Sequence, residues 1–251
     1  MQRYFVPESS WSGDKVIVKG NDARHISRVM RMKPGDKVFC NHPDGRAALC
    51  MILTLRDTFI ELLVEQWMEQ SAEMPVHVTI AQAIPKGDKF ELVLQKGTEL
   101  GAGAFIPFQA DRSVAVWDEK KIDKKQPRFD KIVKEASEQS HRNHVPAVEP
   151  PVSSTQLAEL SKEYDIAAFA YEEEARSEVH HSFAKVLHET RPGMRMLICI
   201  GPEGGYSDRE VELFKEAGMK PVRLGPRILR TETAALYALA GISYHLEELR
   251  C

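Results

Sequence analysis

The chain has 251 residues, 43% of them apolar, with 34 basic and 37 acidic residues for a formal net charge of -3, which is room for one large domain or two ordinary ones with real cores. Near-neutral charge excludes recognition of nucleic acid by the global field, so any such site must be a local patch. Cys40, Cys50, Cys199 and Cys251 form no C-x-x-C pair, no apolar run approaches about 18 residues, and no leader stands at the start, so a disulfide frame, a zinc frame and a membrane span are set aside and a cytoplasmic protein is expected.

The first 72 residues read as a small β-rich domain. Strand-like runs fall at 4–6, 16–18, 37–40, 47–55 and 59–64, with turn signals at Lys33-Pro34-Gly35-Asp36 and His42-Pro43-Asp44-Gly45. Between them Asn21 is placed to cap a helix whose apolar face is Ile26, Val29 and Met30. Arg24, Arg28 and Arg31 recur at i, i+4 and i+7 on that helix. With Arg3 and Lys33 they form either a phosphate-tracking stripe or an ordinary solvated basic face.

A polar stretch at 70–75 marks the boundary. From residue 76 the pattern alternates: strand 76–83, helix 90–100, strands 105–108 and 114–117, helix 128–140 and strand 166–170. Such alternation predicts a parallel sheet covered on both faces. The charged run 118–131 reads as a solvated linker.

Two strand-loop-helix units close the chain. In the first, the apolar strand 196–200 enters Gly201-Pro202-Glu203-Gly204-Gly205, and Ser207 with Glu210 makes a capping box for a helix that stops at Gly218. In the second, strand 222–224 enters a loop where Arg227 and Arg230 bracket Ile228 and Leu229. A helix follows from Thr231 and Glu232, with Leu236, Leu239, Ala240 and Ser243 at helical spacing. Loops at the carboxyl ends of parallel strands bind ligands. Neither a Walker A pattern nor G-x-G-x-x-G is present, and Glu203 disfavours a polyphosphate in favour of a ligand carrying positive charge. An apolar loop between two arginines suits a flat heterocycle, although a core plug with paired arginines is the alternative.

Lys86, Lys89, Lys96 and Glu99 decorate the first helix of the larger domain and the loop before it, Arg112 follows a strand, and Arg142 lies in a polar segment. Each alone reads more readily as a surface charge or salt-bridge partner than as a contact, and their places within the motifs quoted below make Lys86, Glu99, Arg112 and Arg142 candidates for substrate contact. His141 with His144, or His180 with His181, could pair on a metal, but no further ligands stand at a recognisable spacing, and no metal is expected.

The motifs GPEGGYS (201–207) and LGPRILRTETA (224–234), with IPKGDKFELVLQKGTELG (84–101), DRSV (111–114), EQSHRNHVP (138–146) and HISRVMRMKPGD (25–36), resemble those of the RsmE-type 16S ribosomal RNA uracil-N3 methyltransferases of the SPOUT superfamily. The chain departs from that pattern at Gly97, where Ala is expected, and at His141, where a smaller residue is expected. The resemblance implies a PUA-like β-barrel over residues 1–72 that docks RNA. It implies a SPOUT α/β domain over residues 73–251 with a trefoil knot, and a homodimer whose interface helps build the cofactor pocket. The implied cofactor is S-adenosylmethionine and the implied substrate 16S ribosomal RNA of the small subunit. On this reading the cofactor is held by Tyr171, Ile200, Gly201, Pro202, Glu203, Gly204, Gly205, Leu224, Gly225, Ile228, Leu229, Arg230 and Thr233. Arg3, Arg24, Arg28, Arg31, Lys33, Lys86 and Arg142 contact RNA. Arg230, with Arg112 or Arg142, neutralises the uracil oxygens as N3 loses its proton, and Glu99 or Glu232 accepts that proton. Methylation of another RNA position and a noncatalytic RNA-binding module are the rival readings.

Overall fold

A computed structural model describes residues 1–56, 58–171 and 182–249. The chain divides into two compact units, Met1–Glu73 with Ser137–Val145, and Met74–Ala136 with Pro146–Cys251. The two continuous domains expected from the sequence leave no place for the return of Ser137–Val145 to the first unit.

The first unit is built on β1 (Arg3–Phe5), β2 (Trp11–Ser12), β3 (Lys15–Lys19), β4 (Lys37–Asn41), β5 (Ala47–Leu55) and β6 (Phe59–Trp67), in the order β1-β4-β5-β6-β3-β2. Only β1 and β4 run parallel; the other neighbours are antiparallel. Alternate residues of each strand point inward, as a pleated strand with one buried face requires. Val16, Val18, Val38, Cys40, Cys50, Ile52, Ile60 and Leu62 make the core.

The helical segment differs from expectation. α1 (Gly20–Arg24) starts one residue before Asn21, is preceded by Lys19 without a side-chain cap, and passes directly into a π-helical turn, His25–Val29. The wider turn breaks the 3.6-residue register. Ile26 is therefore buried, whereas Val29 and Met30, expected beside it, are 66% and 39% exposed. Arg31 leaves the helix altogether with φ 52°. Arg24, Arg28, Arg31 and Lys33 are all exposed, but they do not form a single helical stripe.

Arg3 and Arg142, expected on an RNA-facing surface, are instead 8% and 3% exposed. For Arg142 the carboxylate of Glu73 explains this, because a buried guanidinium needs a partner. It accepts from Arg142 Nε at 3.3 Å, from Arg142 NH2, and from the main-chain N–H groups of Asn143 at 2.8 Å and His144 at 3.1 Å. Arg3 donates to Asn41 Oδ1 at 3.2 Å and to the Arg142 carbonyl at 3.3 Å. These contacts hold the return segment in the unit at the expense of a left-handed His141, φ 60°, a conformation that disfavours any residue with a β-carbon.

The second unit carries a seven-stranded sheet. Its strands are β7 (His77–Ala83), β8 (Ala104–Gln109), β9 (Ala147–Val148), β10 (Val152–Ser153), β11 (Ile166–Ala170), β12 (Arg195–Ile200) and β13 (Lys220–Val222). The order is β10-β8-β7-β12-β11-β13, with β9 also on β8, and every pairing is parallel. Both faces are buried, as parallel sheets require. Met196, Ile198 and Ile200 of β12 pack with α2 (Lys89–Glu99), α3 (Glu119–Gln139), α5 (Phe183–Glu189) and α7 (Thr231–Ser243). Leu197 and Cys199 pack with α4 (Ser154–Leu160) and α6 (Asp208–Glu216). After edge strand β13 the chain returns past the loop that follows β12 to α7, which packs on β7 and β12. That crossing is the step the expected trefoil knot requires.

Several boundaries move. Residues 114–117 are not a strand, and Val114 and Val116 stand 67% and 59% exposed. The supposed linker 118–131 is mostly the first half of α3, which begins beyond Asp118, accepts Pro127 within it, and buries Phe129 against Phe90 and Trp117. β13 ends at Val222, where a strand had been expected to begin. The buried face of α7 is Ala234, Ala235, Ala238, Leu239 and Ile242, so of the expected set only Leu239 is fully buried. Gly97 lies where α2 crosses Phe105; a β-carbon there would stand 2.7 Å from that ring, which accounts for the absence of the expected Ala.

The expected capping box is present. Ser207 Oγ accepts from Glu210 N at 3.2 Å and Glu210 Oε2 from Ser207 N at 2.9 Å. Glu210 is fully buried, and its other oxygen accepts from Asp111 N at 3.0 Å and Ser154 Oγ at 2.6 Å. One carboxylate thus joins α6, α4 and the segment after β8.

Two tests follow from these buried acids. Glu210→Gln places an amide N–H₂ against donors and is expected to cost about 2–3 kcal/mol, measured by urea unfolding, with the loss seen in the second unit. For Glu73, burial acts to raise the pKa, but the hydrogen bonds and charge of Arg142 and the two main-chain donors outweigh it and hold the carboxyl below its ordinary value. A depressed acid contributes stability that is present above its unfolded value, about 4.3, and is lost as pH falls through the folded value. Glu73→Gln should therefore be less stable at neutral pH and lose less on acidification below about pH 4 than the parent; parallel curves of urea midpoint against pH would contradict this.

Candidate functional site

A cleft of about 620 Å³ opens where β11, β12 and β13 end, between the loop after β12 and the loop after β13. Both loops are shaped by backbone that only glycine adopts easily. Gly205 has φ 69° and donates its N–H to Pro202 O at 2.9 Å, and Gly225 has φ 80° with its carbonyl held by Arg223 Nε at 3.0 Å. Beneath the first loop Tyr206 packs its ring against Phe169 and Phe214, close enough that a β-carbon at Gly201 would meet it at 3.1 Å.

The two loops are joined by a buried polar chain. Gln82, fully buried in β7, donates from Nε2 to Thr231 Oγ1 at 2.7 Å, and Thr231 Oγ1 donates to Gly201 O at 2.7 Å. The first residue of α7 is thereby pinned to the first residue of the loop after β12. Arg112 reaches the same loop from the β8 side, donating from NH1 to Gly204 O at 3.3 Å. Its neighbour Asp111 accepts from Ser207 Oγ and Arg209 NH2, each at 2.6 Å.

Of the residues expected to hold a cofactor, Tyr171, Ile200, Gly201, Pro202, Glu203, Gly204, Gly205, Leu224, Gly225, Ile228, Leu229 and Arg230 all line the cleft. Thr233 does not; it is exposed on the first turn of α7. Among the expected catalytic residues Arg230 and Arg112 line the cleft and are exposed. Glu232 stands behind the wall, its Oε2 3.5 Å from Lys89 Nζ, and Lys89 itself is a lining residue. Glu99 is outside: it ends α2 with both oxygens 2.9 Å from Lys96 Nζ, a local i, i+3 pair. The exposed Lys86 offers its main-chain N–H to Glu203 at 3.4 Å.

Glu203 is not the uncompensated anion that the sequence suggested. Lys89 Nζ lies 2.8 Å from its Oε1. Burial acts to raise the Glu203 pKa, yet the hydrogen bonds from Lys89 and the main chain prevail and lower it. Lys89 is raised in turn, chiefly by its hydrogen bond to Glu203. The loop therefore presents a neutral pair, and the net positive charge at the cleft comes from Arg112, Arg223, Arg227 and Arg230 against the one further acid in the lining, Asp208. Gln82 and Thr231 escaped the sequence reading as site residues, and Lys89 was weighed there only as a surface charge or contact. A polar Gln82 inside the apolar run VHVTIAQA was the one available signal.

Among the described residues no three His, Cys, Asp or Glu side chains gather as metal ligands, and no helix is long and apolar enough to cross a membrane. His141 and His144 lie in the return segment of the first unit, and the His180–His181 pair lies outside the described residues.

Glycine-shaped loops at the carboxyl ends of a parallel sheet, rimmed with arginine, define a binding site in an α/β enzyme fold, and comparison with known proteins gives the class. A family model described as an RNA methyltransferase domain matches residues 72–243, and one described as an RNA methyltransferase PUA domain matches residues 18–65. The chain is 44% identical to the ribosomal RNA small subunit methyltransferase E of Bacillus subtilis, over 100% of this chain and 99% of that one. A crystal structure of a ribosomal RNA small subunit methyltransferase E from Neisseria gonorrhoeae bound to S-adenosyl methionine is 30% identical, with a TM-score of 0.82 and 97% of each chain covered. A Legionella pneumophila structure solved in complex with bound SAM is 28% identical, with a TM-score of 0.82 and 96% of each covered. The chain belongs to the ribosomal RNA small subunit methyltransferase E family, within the RNA methyltransferases.

Thr231→Val keeps the shape of the side chain and removes both hydrogen bonds, leaving one hydrogen of Gln82 Nε2 and the Gly201 carbonyl without these partners, while Nε2 keeps its bond to Ala83 O at 3.1 Å. A loss of about 1–3 kcal/mol is expected in urea unfolding, with Thr231→Ser close to the parent; equal stability of the valine variant would show that the chain of bonds contributes nothing.

Proposed function

We propose that this protein transfers the methyl group of S-adenosylmethionine to N3 of a uridine in the 16S RNA of the small ribosomal subunit. The observation that carries the reading is the cleft itself, whose lining coincides with the motifs shared with the family and which two exposed arginines, Arg112 and Arg230, overlook. The residues present fit the cofactor. Ile200, Leu224, Ile228 and Leu229 supply apolar surface for a flat adenine, and main-chain groups of Gly201 to Gly205 and Leu224 to Leu229 supply hydrogen bonds. When bound, the cofactor supplies an electrophilic methyl group, so the protein has only to align the nucleophile and stabilise charge.

Uracil N3 is a poor nucleophile while protonated, and its edge is hidden inside a base pair, so the base must be unpaired or flipped. Arg230 and Arg112 neutralise the uracil oxygens as the N3 proton leaves. Glu232 is assigned as the acceptor, reached from the cleft through Lys89, whose Nζ stands 3.5 Å from its Oε2 and which lines the cleft. Glu99, paired with Lys96, and Arg142, engaged by Glu73 in the first unit, leave this scheme. Arg24, Arg28, Arg31 and Lys33 with exposed Val29 and Met30 give the first unit its RNA-docking face. A homodimer completes the reading: Tyr237 and Tyr244, 42% and 59% exposed on α7 and the turn after it, together with Ile228 at 71%, are surface that a second copy would cover. A cytoplasmic location follows from the ribosomal substrate.

The test is transfer of labelled methyl from S-adenosylmethionine to undermethylated small subunits and to free 16S RNA, with digestion to nucleosides. Label in 3-methyluridine is expected, and label in a ribose-methylated nucleoside would refute the N3 assignment. Arg230→Ala should lose about 10²-fold or more in turnover while cofactor affinity stays within a few-fold; a large loss of affinity would make Arg230 a cofactor ligand instead.

A further inference from the structure

The segment between β8 and α3 is exposed, apolar and braced, and the reactions above leave it without a role. Burial alternates along it. Ser113, Ala115 and Trp117 turn inward, whereas Arg112, Val114 and Val116 turn outward, the valines 67% and 59% exposed. This period-two pattern is what made the segment read as a strand. The inward residues are tied down: Ser113 N donates to Ala110 O at 3.0 Å, Gln109 Nε2 to Ala115 O at 3.2 Å, and Trp117 packs edge-on to Phe90 at 5.2 Å. Lys121 Nζ holds the Val116 carbonyl at 3.1 Å. The segment is thus tied at four places, and two β-branched side chains stand out in solvent.

Its position relative to the cleft is set by Arg112, which lines it. Two residues of chain span at most about 7 Å, so the exposed Val114 lies close to the residue whose side chain lines the cleft. Beyond the valines, α3 opens with Lys120, Lys121, Lys124 and Lys125, so the stretch from Arg112 to Lys125 carries five cations against Asp118, Glu119 and Asp123. Apolar tips flanked by cations match a nucleotide strand, with base faces for the first and phosphates for the second. A second copy of the chain fits less well, since two valines are a small fraction of the roughly 800 Å² per partner that a stable interface buries.

We propose that Val114 and Val116 form an apolar wedge that packs against the bases flanking the target uridine, holding that nucleotide out of its stack and into the cleft, while Lys120 and Lys124 follow the adjoining phosphates. The proposal rests on the reading of the cleft as a methyl-transfer site. It assigns substrate positioning to residues that touch neither the transferred group nor the cofactor loops.

Val114→Ser/Val116→Ser in the full-length protein is the test, with undermethylated small subunits and free 16S RNA as substrates and S-adenosylmethionine affinity measured by calorimetry. KM for the RNA substrate should rise roughly tenfold, with kcat, cofactor affinity and melting temperature close to the parent. Lys120→Glu/Lys124→Glu should weaken RNA binding and flatten its dependence on salt by about one unit of log-log slope or more. An unchanged KM in the valine variant, with the parent active, overturns the wedge alone. A shift of that variant's oligomeric state assigns the valines to a chain-chain contact and also overturns it. If the parent labels neither RNA, the reading of the cleft falls and the wedge with it.

Discussion

The hydroxyl of Thr231 is the point on which the cleft depends. It accepts from a buried amide of the central sheet, Gln82, and donates to Gly201, so the strand β7, the loop after β12 and the start of α7 meet at one atom. The loop after β12, with three glycines in five residues, is not positioned by its own sequence. The sheet lends its rigidity through a side chain, and a single β-branched alcohol, able to donate and accept at once, is the smallest group that can transmit it.

Charge is handled with the same economy. Three acids are each committed to partners: the exposed Glu203 to Lys89, the half-buried Glu73 to Arg142, and the buried Glu210 to a hydroxyl and two main-chain N–H groups. Besides the pair of Glu203 and Lys89 the cleft is lined by four arginines and one further acid, Asp208, so its charge is net positive. Because a guanidinium stays protonated throughout the accessible pH range, the field at the site is fixed rather than titrated. An anion developing on a flat base would meet that field already in place.

The fold was legible where a local rule decides the outcome. Strands 47–55 and 166–170 are found at their expected limits, and the capping box of Ser207 and Glu210 forms as its spacing requires. Twelve of thirteen residues expected around the cofactor line one cleft, since family motifs concentrate where a ligand constrains the chain. The errors arose where tertiary partners override pattern. Period-two burial at 113–117 comes from bracing to Gln109 and Phe90, not from strand pairing, and the charged run before Pro127 is helical because Phe129 has a core to enter. The π turn at His25–Val29 moved Val29 and Met30 outward, a change that 3.6-residue arithmetic could not register. The burial of Arg3 and Arg142 was invisible because their partners are remote in sequence, Glu73 for Arg142 and Asn41, Arg142 O and Asn143 for Arg3.

The discontinuous first unit has a consequence for synthesis. Its strands are all complete by Trp67, yet the guanidinium that answers Glu73 arrives only with Arg142 and the segment around it. A nascent chain would carry Glu73 and Arg3 without these companions for some seventy residues of elongation, several seconds at ordinary rates. The second unit waits longer, since β12, the strand between β7 and β11, is translated after both of its neighbours. Neither unit can close in the order in which it is made, so the native state is reached after translation has nearly finished rather than assembled step by step along the way.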